Sequence, residues 1–190
     1  MKKTLIITGI IGVIVCVLIA LFYLFVISGA FLMFTYFAPN PPKPKITYGE
    51  FPFALTYELD GEIKTIEDTL ICEYDGVEWT NSGSKERRWK YRFESGREEI
   101  ILIDFSDKDE IHELGYKMLN LYFFCGSPEY YMGEIENFRR HPEDMKNIHF
   151  HYQTKEGKIG GSAYTFDEAF EKYKVKIIAW KIAQPIENKF

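Results

Sequence analysis

The chain opens with a charge-free segment, from Thr4 to Pro42, in which 39 consecutive residues include no Asp, Glu, Lys, Arg or His. A helix needs about 20 apolar residues to cross ~30 Å of hydrocarbon, and lipid offers no partner for an unpaired backbone group. Residues 5–24 already meet this length, and aromatic side chains recur from Phe22 onward, as expected at a membrane interface. We therefore expect a transmembrane helix over residues 4–37, with the lipid bilayer as the partner of residues 5–37.

Two alternatives concern how this segment is processed and oriented. A cleaved secretory signal has an apolar region of about 7 to 15 residues, which is far shorter than this one, so we expect an uncleaved signal anchor. The flanking charges do not decide its orientation by the positive-inside rule, because two lysines precede the segment and two follow it. The free amino terminus favours a short cytoplasmic tail (residues 1–3) and a domain on the outside of the cell membrane.

A proline-rich stretch separates the predicted anchor from the rest of the chain. Its prolines favour an extended polyproline spacer over residues 38–45. Residues 46–190 then form the predicted extracytoplasmic domain, which is long enough to bury a hydrophobic core without disulfides.

Alternating hydrophobicity indicates that this domain is built mainly of antiparallel strands. The odd positions of Phe53–Leu59 are apolar, and Asp60-Gly61 supplies a two-residue hairpin turn. In Arg88–Glu94, three aromatic residues alternate with charged ones, which predicts one buried face and one solvated face. Ile100–Ile103 is apolar on both faces, which favours a central strand.

One or two short helices complete the predicted α+β fold. Thr165 and Glu168 have the spacing of a capping box, and the apolar residues that follow have helical periodicity. Ser127-Pro128 offers a second helix start, which Gly133 should keep short.

Net charge excludes one class of partner. Without Lys2 and Lys3, 21 basic side chains face 28 acidic ones, which gives a net charge of −7. This balance opposes binding to nucleic-acid phosphates.

Four stretches together resemble a known family. They read KPKITYGEFPF at 43–53, IEDTLICEYDG at 66–76, EYYMG at 129–133 and IIAWKIAQPI at 177–186. The chain resembles a family of uncharacterised, single-span, membrane-anchored proteins of low-GC Gram-positive bacteria. The resemblance implies a membrane location and this architecture, and it carries over no catalytic residue.

His149 and His151 flank Phe150, so that in a strand both imidazoles share one face, a spacing that some metal sites use. A catalytic zinc normally needs three protein ligands, and no third ligand lies nearby in sequence. We favour two solvent-facing histidines over a metal site.

Cys72 and Cys125 both fall on inward faces of predicted strands. A disulfide between them is conceivable outside the cell, but pairing requires Cα atoms within about 7 Å. Two buried free thiols are the favoured interpretation.

Two surface features are candidate ligand-binding sites. The basic stripe of Arg88, Lys90 and Arg92 could bind an anionic polymer or headgroup, although ion pairs with acidic residues on neighbouring strands are the simpler interpretation. Tyr130 and Tyr131 could line a groove for sugar rings or peptides, or belong to an aromatic core.

No catalytic or cofactor motif is present: there is no phosphate loop, nucleophile elbow or Cys-x-x-Cys pair. The sequence therefore predicts a non-catalytic binding, interaction or sensing domain without a cofactor, whose partner is a cell-surface protein or a cell-wall polymer. A surface hydrolase or metal-dependent enzyme is the first alternative. An accessory subunit of a membrane complex is the second.

Overall fold

In a computed structural model of the chain, the structure describes residues 14–27, 29, 39–108, 110–112, 114–134 and 147–188. Residues 14–27 form a helix, α1. None of the helices in the described ranges has both the length and the apolar character that crossing a bilayer requires. Apart from Gly29, the remainder of the predicted membrane segment at 4–37 lies outside the described residues. Of the predicted spacer, residues 39–45 contain neither helix nor strand.

The chain divides into two compact units. One consists of Met1–Pro42 together with Val77–Arg87, and the other of Lys43–Gly76 together with Arg88–Phe190. We call Val77–Arg87 the hairpin tip, because it contains the turn between the second and third strands.

The first sheet contains β1 (Tyr48–Leu59), β2 (Glu62–Trp79), β3 (Lys85–Phe93) and β8 (Val175–Ile182), in the order β3-β2-β1-β8. The predicted turn joins β1 to its antiparallel neighbour β2, with positive φ angles of 54° at Asp60 and 84° at Gly61. Such angles are typical of the tight turns that match strand twist. The alternation prediction is confirmed on β1, where every second residue is buried: Phe51, Phe53, Leu55 and Tyr57.

The second sheet contains β4 (Ile100–Asp104), β5 (Lys117–Phe123), β6 (Asn147–Gln153) and β7 (Ile159–Thr165), in the order β4-β5-β6-β7 with antiparallel pairs throughout. The prediction that Ile100–Ile103 forms a central strand is wrong. β4 is an edge strand, and Ile101 on its outer face is 41% exposed. An apolar run cannot by itself reveal whether a strand has one neighbour or two.

The helices α2 (Pro128–Tyr131) and α3 (Phe166–Tyr173) match the predicted positions. α2 begins with proline at its first position and spans four residues. α3 has the predicted capping box, in which the Thr165 hydroxyl accepts from the Glu168 amide and the Glu168 carboxylate accepts from the Thr165 amide. The buried residue of α3 is Ala169, whereas Phe170 is 43% exposed.

Both sheets contribute to a single hydrophobic cluster. Trp180 of β8 contacts Phe53 of its own sheet at a ring-centroid distance of 5.1 Å and Phe123 of the other sheet at 4.9 Å. The protein is therefore of the α+β class, built on two antiparallel sheets with short helices.

Candidate functional site

A cavity of about 220 Å³ lies where α3 and the end of β7 meet the segment that precedes β5. Backbone hydrogen bonds fix this segment, because the Met118 amide donates to the Glu110 carbonyl at 2.8 Å and the His112 amide donates to the Tyr116 carbonyl at 2.8 Å. The capping box fixes where α3 starts, and the last turn of α3 contributes Lys172 and Tyr173 to the cavity. We call this the His112 cavity, and its walls are formed by Glu110, Ile111, His112, Tyr164, Lys172 and Tyr173.

The His112 imidazole is oriented by rings and by a backbone donor. Its ring stacks at 5.5 Å on Phe150 with an interplanar angle of 21°, and at 6.1 Å on Tyr164 with an angle of 25°. The Leu114 amide donates to His112 Nδ1 at 3.1 Å. Because Nδ1 accepts, the neutral ring carries its proton on Nε2.

Tyrosine hydroxyls and two charged side chains complete the wall. Burial raises the pKa of Tyr173, and the neighbouring Tyr164 hydroxyl and the charge of Glu110 raise it further. Tyr173 is therefore a neutral phenol at physiological pH. The Lys172 ammonium lies 4.7 Å from the centroid of the Tyr164 ring, a cation–π contact.

This arrangement can bind a small polar ligand. Aromatic rings, an ammonium, a carboxylate and phenol groups provide both flat apolar surface and polar contacts in one small cavity. Its volume is below the ~300 to 1,000 Å³ range of sites for drug-sized ligands, so it admits a single small unit. Among the described residues, no serine, threonine or cysteine lines it to serve as a nucleophile.

A larger, open groove of about 750 Å³ lies on the first sheet, bordered by β1, β2, β8 and the turn after β3. Asp68 lies in it with a side chain that is only 3% exposed. Its carboxylate accepts from the Thr69 amide at 2.8 Å, from the amide and hydroxyl of Ser95, and from Arg97 Nε at 2.7 Å. We call Asp68, Ser95 and Arg97 the Asp68 cluster.

The Asp68 cluster is a structural contact. Burial alone would raise the pKa of Asp68, but the hydrogen bonds from Ser95 and Thr69 and the charge of Arg97 outweigh it and hold this pKa below its usual value. Ser95 and Arg97, in the turn that joins β3 to β4, therefore supply most of the contacts to the carboxylate, and these contacts hold the turn in place.

His149 and His151 share the outer face of β6, as predicted, while Ile148 and Phe150 are buried on the opposite face. Tyr122 of β5 lies beside both, with centroid distances of 5.5 Å and 4.7 Å respectively. Burial lowers the pKa of His149, and the neighbouring His151 adds to this effect. In the ranges that the structure describes, no group of three or more His, Cys, Asp or Glu residues could hold a metal ion.

The basic stripe is paired with acidic residues of β2. Arg88 lies 2.9 Å from Asp75, Lys90 lies 3.6 Å from Glu73, and Arg92 lies 3.7 Å from the same Glu73 carboxylate. The expected ion pairs are therefore present. These side chains are about half exposed, so each pair stabilises the fold by less than ~1 kcal/mol.

The candidate groove at Tyr130 and Tyr131 requires a correction. Tyr131 is completely buried, and its hydroxyl donates to the carbonyl of Cys125. Its ring packs on Phe51 at 5.0 Å, while Tyr130 is half-buried against it at 5.1 Å. Tyr131 cannot line a surface groove, because α2 turns its side chain into the core.

Cys72 and Cys125 are both buried as free thiols in the hydrophobic cluster. Burial raises the pKa of Cys72 to about 12, with smaller contributions from Cys125 and Glu129. Burial likewise raises the pKa of Cys125 to about 12. Both thiols are therefore protonated and weakly nucleophilic at physiological pH.

The residues of the His112 cavity were not predicted from the sequence. The one available signal was the density of titratable and aromatic residues between 110 and 116, and nothing in the sequence joins this segment to α3.

No protein-family profile, curated protein or solved structure matches this chain.

Proposed function

We propose that this chain is a membrane-anchored extracytoplasmic domain that binds a cell-wall ligand without catalysing a reaction. The observation that carries the proposal is the His112 cavity, in which Glu110, His112, Lys172 and two tyrosines converge. Convergent polar groups in a concave site are typical of ligand binding.

The proposed anchor rests on the charge-free segment from Thr4 to Pro42. The surface of α1 supports it, because its large apolar side chains are exposed, from 47% at Val15 to 77% at Phe25. A contiguous apolar surface of this kind is typical of contact with lipid or protein. The proposed orientation is a cytoplasmic amino terminus with residues 46–190 outside, and a membrane location agrees with the Gram-positive single-span family that the chain resembles.

The chemistry of the cavity favours a polyhydroxylated unit about the size of one sugar ring. The stacked rings of His112 and Tyr164 form an aromatic wall of the cavity. Glu110 can accept hydrogen bonds from hydroxyl groups, while Lys172 and Tyr173 can donate them. We therefore propose a terminal sugar of a cell-wall glycan as the ligand.

The experiment titrates the full chain, in detergent micelles, with soluble disaccharide fragments of peptidoglycan and follows binding by calorimetry. We expect saturable binding that falls at least tenfold in H112A and in K172A. H149A is the matched control, because His149 lies on the outer face of β6 and does not line the cavity. This variant should bind like the unmodified chain. Absence of binding, or equal binding by all variants, would overturn the proposed ligand site.

A further inference from the structure

The hairpin tip presents an exposed tryptophan beside a hydrogen-bonded turn. The Thr80 hydroxyl lies 2.8 Å from the Ser82 hydroxyl and 2.7 Å from that of Ser84. The Thr80 amide also donates to the Ser84 carbonyl at 2.9 Å. Trp79, directly before this turn, is 51% exposed.

The same tip is hydrogen-bonded to the segment that follows the predicted anchor. Lys85 Nζ donates to Asn40 Oδ1 at 2.9 Å, and an Arg87 guanidinium nitrogen donates to the Pro42 carbonyl at 3.1 Å. All four residues belong to one compact unit. The tip therefore stays beside residues 40–42.

Chain length places a limit on how far the tip can be from the bilayer. Asn40 is three residues beyond Phe37, where the proposed anchor ends. Three residues span at most ~11 Å when fully extended. The headgroup layer on each side of the hydrocarbon is about 5 to 8 Å thick, so Lys85 must lie at or close to it.

The exposed side chains of the tip have the chemistry of a membrane interface. Tryptophan is enriched at the headgroup level, where its ring is partly in contact with lipid. The Lys85 ammonium lies 4.7 Å from the centroid of the Trp79 ring, and a lysine can keep its charge in water while its stem covers apolar surface. The tip carries two basic and two acidic side chains, so net charge neither attracts it to nor repels it from anionic lipid.

From these contacts we infer that the hairpin tip is a second membrane contact, in which Trp79 inserts into the headgroup region of the bilayer that holds the anchor. This inference rests on the proposed anchor. The partner is the lipid surface itself, and phosphatidylcholine alone should suffice.

The test reconstitutes the full chain into phosphatidylcholine vesicles with and without lipids brominated near the headgroup, and measures tryptophan fluorescence. The chain has three tryptophans, of which Trp89 is 5% exposed and Trp180 half-buried. We expect quenching of the unmodified chain and at least a threefold smaller quenched amplitude in W79F. Y91F is the control, because Tyr91 is a 43% exposed aromatic residue outside the tip, and it should be quenched like the unmodified chain.

A label provides an independent reading. S82C, in a C16S background, is labelled with a fluorophore whose emission shifts to the blue in lipid, and the shift should appear on vesicles. Equal quenching of W79F and the unmodified chain, together with an unshifted label, overturns the inference. Washing the vesicles with alkaline carbonate separates the two proposals: a chain that remains bound but is not quenched refutes only the tip contact, whereas a chain that washes out refutes the anchor and the tip together.

Discussion

Replacing Asp68 with asparagine tests how much the Asp68 cluster stabilises the fold. The asparagine side chain has nearly the same shape but no charge, and it turns an amide donor toward groups that are themselves donors. The affected bonds come from the Thr69 amide at 2.8 Å, the Ser95 amide at 3.1 Å, the Ser95 hydroxyl and Arg97 Nε at 2.7 Å. The carboxylate side chain is 3% exposed, so water replaces the lost contacts poorly.

The magnitude follows from these contacts. Hydrogen bonds to charged groups contribute about 1.5–3 kcal/mol each, but asparagine keeps one acceptor oxygen, and Arg97 is one-third exposed, so its ion pair adds less than ~1 kcal/mol. We therefore expect D68N to lower the free energy of unfolding by about 2 kcal/mol at neutral pH. With a urea m-value of about 2 kcal/mol/M, the unfolding midpoint should fall by about 1 M.

The lowered pKa of Asp68 also predicts how its stabilising effect changes with pH. The surroundings hold the pKa of Asp68 below its usual value, so its stabilising effect is fully present above the unfolded pKa of about 3.9. It is lost as the pH falls through the lower folded pKa. The difference between the unmodified chain and D68N should therefore stay constant from pH 7 to about pH 5, and shrink below about pH 4.

Urea unfolding of the full chain in detergent, followed by tryptophan fluorescence, provides the measurement. S95A is the matched variant, because it removes one hydroxyl donor and leaves the carboxylate in place. It should lower the free energy of unfolding by about 1 kcal/mol. A D68N loss below about 0.5 kcal/mol, or a loss that is unchanged at pH 3, would refute the reasoning.

Two further predictions concern packing. In a C16S background, Cys72 and Cys125 should react with an aromatic disulfide reagent at pH 8 only after urea is added, because a pKa of about 12 and burial leave almost no accessible thiolate; rapid reaction of the folded chain would contradict this. G160A should destabilise the fold by about 1–3 kcal/mol, because its Cβ would lie 2.6 Å from the Tyr152 ring. G161A is its neighbour control, whose Cβ would meet His151 at 3.4 Å, and equal unfolding midpoints for the two variants would show that the close contact is relieved without cost.

The sequence by itself determined the features that depend on neighbouring residues. The Asp60-Gly61 turn, the alternation along β1 and the capping box of α3 were all predicted correctly, because each arises within a few residues of chain. Alternation was less informative on β3. There Trp89 and Phe93 are buried, but Tyr91 on the same stripe is 43% exposed.

Only the tertiary structure decided which strands lie at a sheet edge and which distant residues meet. Ile100–Ile103 reads as a central strand, yet among the described strands it has a neighbour on one side alone. The His112 cavity joins a loop before β5 to residues of α3 that follow more than fifty positions later, and Tyr131 enters the core through the direction of one short helix. Such contacts depend on the packing of both sheets around one core, and local patterns of hydrophobicity do not contain that information.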